Sequence, residues 1–119
     1  MTMTDCLFCK IVRGEIPSRQ VFENEHVLAF HDIQPAAPVH VLIIPKKHIS
    51  STNEIQPEDR DVLGEVLLAA PRIARELGVA DGGYRLINNC GADGGQVVYH
   101  LHMHLLGGEK LGGLNVKPV

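Results

Sequence analysis

The sequence predicts one α+β domain, an antiparallel sheet of five short strands with one long and one short helix. Three observations lead there. Short β-rich runs recur between turn signals, one long stretch keeps a helical period, and Gly and Pro fall between the periodic segments. A chain of 119 residues with 45% hydrophobic content suits a single core, so no second domain is expected.

The elements follow in order. Leu7, Phe8, Ile11 and Val12 give a short apolar helix over about residues 7–13, with Gly14 placed to end it. Gln20 to Glu23 and Val27 to His31 flank the turn-prone Asn24 and read as a β-hairpin. His40 to Ile44, closed by Pro45, is a neighbouring strand. Pro57 at a first helical position, the acidic Glu58, Asp59 and Asp61, and Gly78 bound a long helix. Within it Val62, Leu63, Val66, Leu67, Ala70, Ile73, Ala74 and Leu77 share one face, and Pro71 predicts a kink. Tyr84 to Asn88 and Val98 to Leu106 read as the last two strands, joined by the loop Gly91-Ala92-Asp93-Gly94-Gly95.

Charge and composition narrow the function classes. Eleven Lys and Arg stand against fourteen Asp and Glu, for a formal charge of -3 and no long basic run, so nucleic acid is not the expected partner. No segment has the length and hydropathy to cross a bilayer, and Met1 to Cys6 lacks the pattern of a signal peptide, so a cytoplasmic protein without a membrane partner is expected. Three cysteines are too few for a disulfide framework and suit reduced thiols or metal ligands.

The segment His100-Leu101-His102-Met103-His104 alternates imidazole with apolar side chains. As a strand it puts all three histidines on one face, within reach of one small ligand. A solvated edge strand is the competing explanation. Inward histidines can bind a metal, act as nucleophile and acid or base, or divide those tasks. Gly91, Gly94 and Gly95 just upstream allow backbone N–H groups to approach an oxyanion such as phosphate.

The stretch from Asp93 to Gly108, with its His-x-His-x-His, resembles the signature of the histidine triad family. Phe30 to His40, Ile43 to Ile49 and Tyr84 through Asn89 are similar to the branch of nucleotide-binding phosphoramidases, so the likeness covers nearly all of residues 5–108. The resemblance implies a HIT-like fold and a homodimer whose two sheets join, with residues 1–4 and about 109–119 as tails that flex or contact the partner. It also implies a purine nucleotide substrate, an adenosine 5′-phosphoramidate hydrolysed in two displacements. By it, His102 is the nucleophile and becomes transiently adenylylated, the His100 carbonyl orients it, and His40, Asn89 and His104 contact the phosphate or the leaving group. Asp32 would bind the ribose hydroxyls, unless it caps the turn beside Pro35. Phe8, Ile11, Ile16, Phe30 and Ile33 would wall the base, with core packing as the competing explanation for these five, and His31 would also contact the nucleotide. Gly95, Gln96, Val97 and Val98 would offer backbone N–H groups to the phosphate, and Val97 departs from the serine often found there.

Cys6-Leu7-Phe8-Cys9 is a C-x-x-C pair, which suits a zinc half-site or a redox pair, or two small buried hydrophobes. No βαβ setting favours the redox choice, and no nearby histidine pair completes a zinc finger. Similar histidine triad proteins bind zinc through such cysteines, the histidine after Pro-Lys-x, and the first triad histidine. Here those are Cys6, Cys9, His48 and His100, implying one structural zinc per chain that the chemistry does not require. Cys90 has no evident partner. Two other functions stay open: a dinucleoside polyphosphate hydrolase using the same His102, and a regulatory module that binds nucleotide without turnover.

Overall fold

A computed structural model describes residues 5–114. Of the expected tails, residues 1–4 and the last part of the second, 115–119, lie outside the described residues. Five strands form one sheet: β1 (Gln20–Glu23), β2 (Val27–His31), β3 (Val39–Pro45), β4 (Tyr84–Ile87) and β5 (Met103–Gly107). Their order is β1-β2-β3-β5-β4, and every adjacent pair is antiparallel. The hairpin β1–β2 lies where the sequence puts it, because the Asn24 side chain accepts from the His26 and Val27 N–H groups, both at 2.9 Å, and so closes the turn.

Two helices cover opposite faces. The long one, α2 (Arg60–Glu76), follows a 3₁₀ turn over Pro57–Asp59 and runs unbroken through Pro71. Its Val66, Ala69, Ala70, Ile73 and Ala74 pack on Val27, Ala29, Val41, Ile43 and Leu105 of the sheet. The expected helix face needs one correction: Leu67 is 53% exposed, and Ala69 takes the inward place. At 3.6 residues per turn, Leu67 lies about 100° from Val66, at the rim of the stripe, whereas Ala69 falls within it.

The short helix α1 (Leu7–Val12) covers the other face, where Phe8, Cys9 and Ile11 join Leu28, Phe30, Leu42 and Ile44. Strand alternation assigns the two sides. On β3, Val41 and Ile43 turn to α2, while His40, Leu42 and Ile44 turn to the side of α1; on β5, Leu105 turns to α2 and His104 lies opposite Leu42 in the register. The chemistry-bearing side chains are therefore gathered on one face, with the main core on the other. Among the described residues no helix is long and apolar enough to cross a membrane.

Candidate functional site

The last expected strand begins later than its alternating pattern suggests. β5 starts at Met103, so His100 and His102 lie in the segment leading into it and His104 alone is in the strand. The expectation that one strand face presents all three histidines to one ligand is corrected accordingly. Tertiary contacts hold the lead-in: Leu101 N–H donates to Ile49 O at 2.6 Å, and His100 Nε2–H donates to Pro45 O at 2.8 Å. His100 is fully buried and turns to the cysteines, while His102 and His104 line an open cleft of ≈ 390 Å³.

The hydrogen bonds fix the tautomers of the cleft histidines. His102 Nδ1 lies 2.7 Å from the His100 carbonyl, which can only accept, so Nδ1 carries the proton and Nε2 keeps its lone pair. His40 Nδ1 accepts from Ala36 N–H at 3.0 Å, so a neutral His40 is protonated at Nε2. That Nε2–H faces His104 Nδ1 at 2.9 Å and Asp32 Oδ2 at 3.4 Å. His104, accepting at Nδ1, therefore holds its own proton on Nε2. Burial, helped by the nearby His102 and His40 rings and opposed by Asp32, holds His104 down at about 4. His40 is lowered too, chiefly by burial, with Asp32 opposing.

The expected nucleotide-binding residues are mostly brought together. Phe8, Ile11, Phe30, His31, Asp32, Ile33, Asn89, Gly95, Val97 and Val98 line the cleft with His102 and His104. Ile16 does not, since it packs against the core beneath α1. His40 reaches the cleft only through His104, both of its ring nitrogens being engaged. Asp32 Oδ1 accepts from Gln34 N–H at 2.8 Å, the turn-capping role, and its other oxygen faces His40. Arg19, Ser18 and Leu42 also line the cleft and were not expected. Alternation along β3 from His40 could have signalled Leu42.

The glycine loop is built from within. Gln96 is buried, with its Oε1 accepting from Gly91 N–H at 2.9 Å and its Nε2 donating to Ser50 O at 2.8 Å and Val98 O at 3.1 Å. Gly95 N–H and Gln96 N–H are bonded within the loop, to Ala92 O and Gly91 O. Of the four N–H groups expected to meet a phosphate, those of Val97 and Val98 alone have no acceptor among the described residues. A side chain at Gly94 would meet Cys90 O at 2.4 Å, so this glycine is required by close approach. Val97 stands 86% exposed at the cleft mouth.

Behind the cleft, Cys6, Cys9, His48 and His100 bring four ligand atoms within 4.8 Å of one another. Cys6 Sγ lies 3.3 Å from His100 Nδ1, and Cys9 Sγ lies 3.2 Å from His48 Nδ1 and 3.5 Å from His100 Nδ1. A tetrahedral zinc with bonds of about 2.3 Å to sulfur and about 2.0–2.1 Å to nitrogen puts unlike ligands about 3.6 Å apart, close to this spacing. The tautomers agree: His100 gives its Nε2 proton to Pro45 O, leaving the Nδ1 lone pair toward the sulfurs. Burial, aided by Cys6, pushes the Cys9 thiol up to about 11, and a divalent cation held here would supply positive charge that favours its thiolate.

Asp32, His40 and His104 form a second group with metal-like spacing. It is a poor cation site. Ligation through His40 Nε2 needs the proton on Nδ1, where it would collide with the Ala36 N–H that points at that nitrogen.

Comparison with known proteins gives concordant matches. The profile of the HIT domain matches residues 13–111. The purine nucleoside phosphoramidase of Escherichia coli strain K12 is 49% identical over 108 residues, covering 91% of this chain and 91% of that protein. A solved HIT family hydrolase from Clostridium thermocellum superposes with a TM-score of 0.92 at 50% identity, covering 97% of this chain and 100% of its own. A histidine triad protein from Clostridium difficile gives 0.91 at 48% identity, with 97% and 100% covered.

Proposed function

The chain belongs to the HIT domain family, and on that footing we propose that it hydrolyses purine nucleoside 5′-phosphoramidates, of the adenosine type, to AMP and an amine. The observation that carries this reading is His102, whose Nδ1–H is spent on the His100 carbonyl and whose Nε2 lone pair opens into a cleft. The 49% identity to a purine nucleoside phosphoramidase supports the choice of substrate.

In the first displacement His102 Nε2 forms a bond to the α-phosphorus as the bond to the amine breaks. The amine nitrogen keeps that electron pair and takes a proton from Nε2 of the His104 imidazolium, leaving His104 neutral with its remaining Nδ1–H turned from His40 Nε2–H toward the Asp32 carboxylate, an oxygen of which lies within 4.8 Å of both rings. Burial keeps His104 neutral in the free protein, and the anionic phosphate of a bound substrate favours its cation. In the second displacement water forms a bond to phosphorus, His104 takes its proton, and the electron pair returns to His102 Nε2. Val97 and Val98 N–H are the donors for the phosphate oxygens, Asn89 is a further contact, and Phe8, Ile11, Phe30, His31 and Ile33 wall the base. Asp32 serves the ribose and also steadies His40.

Zinc fits Cys6, Cys9, His48 and His100, where it holds structure and takes no part in bond breaking. A single domain over residues 1–119, a homodimer and a cytoplasmic site complete the reading, the last resting on sparse cysteines and the lack of a spanning helix among the described residues. Parallel incubation with an adenosine phosphoramidate and a diadenosine polyphosphate tests it. Faster release of AMP and amine is expected. Cleavage of the polyphosphate alone would make the protein a dinucleotide hydrolase, and no turnover with intact His102 would make it a binding module.

A further inference from the structure

We propose that the Cys6–Cys9–His48–His100 centre is the clamp that assembles the nucleotide cleft, so that a divalent metal and a nucleotide strengthen each other's binding although they share no side chain. The proposal rests on the nucleotide site described above. None of the four ligand residues lines the cleft, yet each belongs to a segment that builds it.

Cys6 and Cys9 bracket Leu7 and Phe8, and α1 also carries Ile11, three of the cleft's apolar residues. A helix of six residues has no stability of its own, so it needs tertiary anchors. Phe8 transmits the anchoring: its ring meets His102 edge-on at 5.1 Å, His100 at 5.9 Å and Phe30 at 5.5 Å between centroids. His100 serves both sites at once. Its Nδ1 faces the two sulfurs, and its carbonyl holds the nucleophile's Nδ1–H at 2.7 Å. His48 leads the segment whose Ser50 carbonyl accepts from Gln96, the residue that braces the glycine loop, and whose Ile49 carbonyl accepts from Leu101. A cation in this centre joins the base wall, the nucleophile and the phosphate loop at one point.

Coupling of this kind is reciprocal. Calorimetric titration with AMP is done on zinc-loaded protein and on chelator-stripped protein shown to be folded by circular dichroism. Stripping should weaken AMP binding at least about fivefold, the low end of ordinary coupling. Saturating AMP should tighten zinc by the same factor, read with a chromophoric chelator. His48→Gln, outside both α1 and the cleft, should weaken AMP at limiting zinc and recover in excess zinc. Phe8→Leu keeps all four ligands and should lower the coupling factor. Equal AMP affinity in folded stripped and loaded protein overturns the proposal. Should stripping unfold the chain, parental coupling in Phe8→Leu overturns it too, since the linkage would then be global folding. AMP binding to neither form defeats the nucleotide site itself.

Discussion

A histidine attacks phosphorus only through a ring nitrogen with a free lone pair, so the atom that takes its other proton decides its role. For His102 that atom is the His100 carbonyl, a partner no side-chain substitution removes. His102→Ala should fold and still bind AMP, because Phe8, Phe30 and the loop donors remain, yet turnover should fall by at least about three orders of magnitude. Steady-state kinetics and mass spectrometry of the quenched enzyme check this, with a transient adenylyl group expected on His102 alone. Turnover within about tenfold of the parent would refute the assignment. His104 gives a second outcome. Its pKa, lowered by burial from the ordinary 6.5 to about 4, means that between those values the unfolded chain binds a proton that the folded chain does not. Its contribution to stability is therefore complete above about 6.5 and is lost as pH falls through about 4, with a slope of at most about 1.4 kcal/mol per pH unit. A bound phosphate should raise that pKa, so the methyl ester of AMP, which does not titrate here, should bind more tightly at pH 5.5 than at pH 7.5 and take up a proton. Calorimetry in buffers of different ionisation enthalpy reads the uptake.

Among the elements, those whose ends are set by local chemistry were legible in the sequence. The β1–β2 hairpin follows from Asn24, α1 ends before Gly14 at φ +78°, and α2 with its preceding turn spans the expected stretch from Pro57. The start of β5 was not legible. The alternation from Val98 to Leu106 is a genuine period of two, but Pro45 O and the Cys6 and Cys9 sulfurs, distant in sequence, draw the His100 ring away. Cleft residues on strands follow from alternation, whereas the inward turn of Gln96 depends on Ser50 and could not be foreseen. The glycine loop offers its own test. Gly94→Ala puts a methyl against Cys90 O, so about 1–3 kcal/mol of stability should be lost, and kcat/KM should fall as the Val97 and Val98 donors shift. Thermal melts and kinetics on the phosphoramidate check it; a parental melting temperature would mean that the loop relaxes freely.

At the scale of the whole molecule the sheet ends on β4, whose outer backbone edge pairs with nothing among the described residues, and Leu86 on it is 36% exposed. An open edge invites a second copy, and the proposed dimer would continue the sheet there. Leu86→Lys should shift sedimentation toward the monomer while a monomeric melt persists; an unchanged species would place the interface elsewhere. The proposed metal centre spans the chain from Cys6 to His100, so purified protein should contain about one zinc per chain, and Cys9→Ser should lose it with a drop in melting temperature. Equal stability of the metal-free protein would remove its structural role. The Ala36 N–H aimed at His40 has a wider consequence. Among the described residues two clusters have the spacing of ligands, and the Ala36 amide proton disfavours a cation at the one that holds His104, the proposed acid. The proposed catalyst should thus keep its turnover in zinc well beyond what would fill the cysteine site.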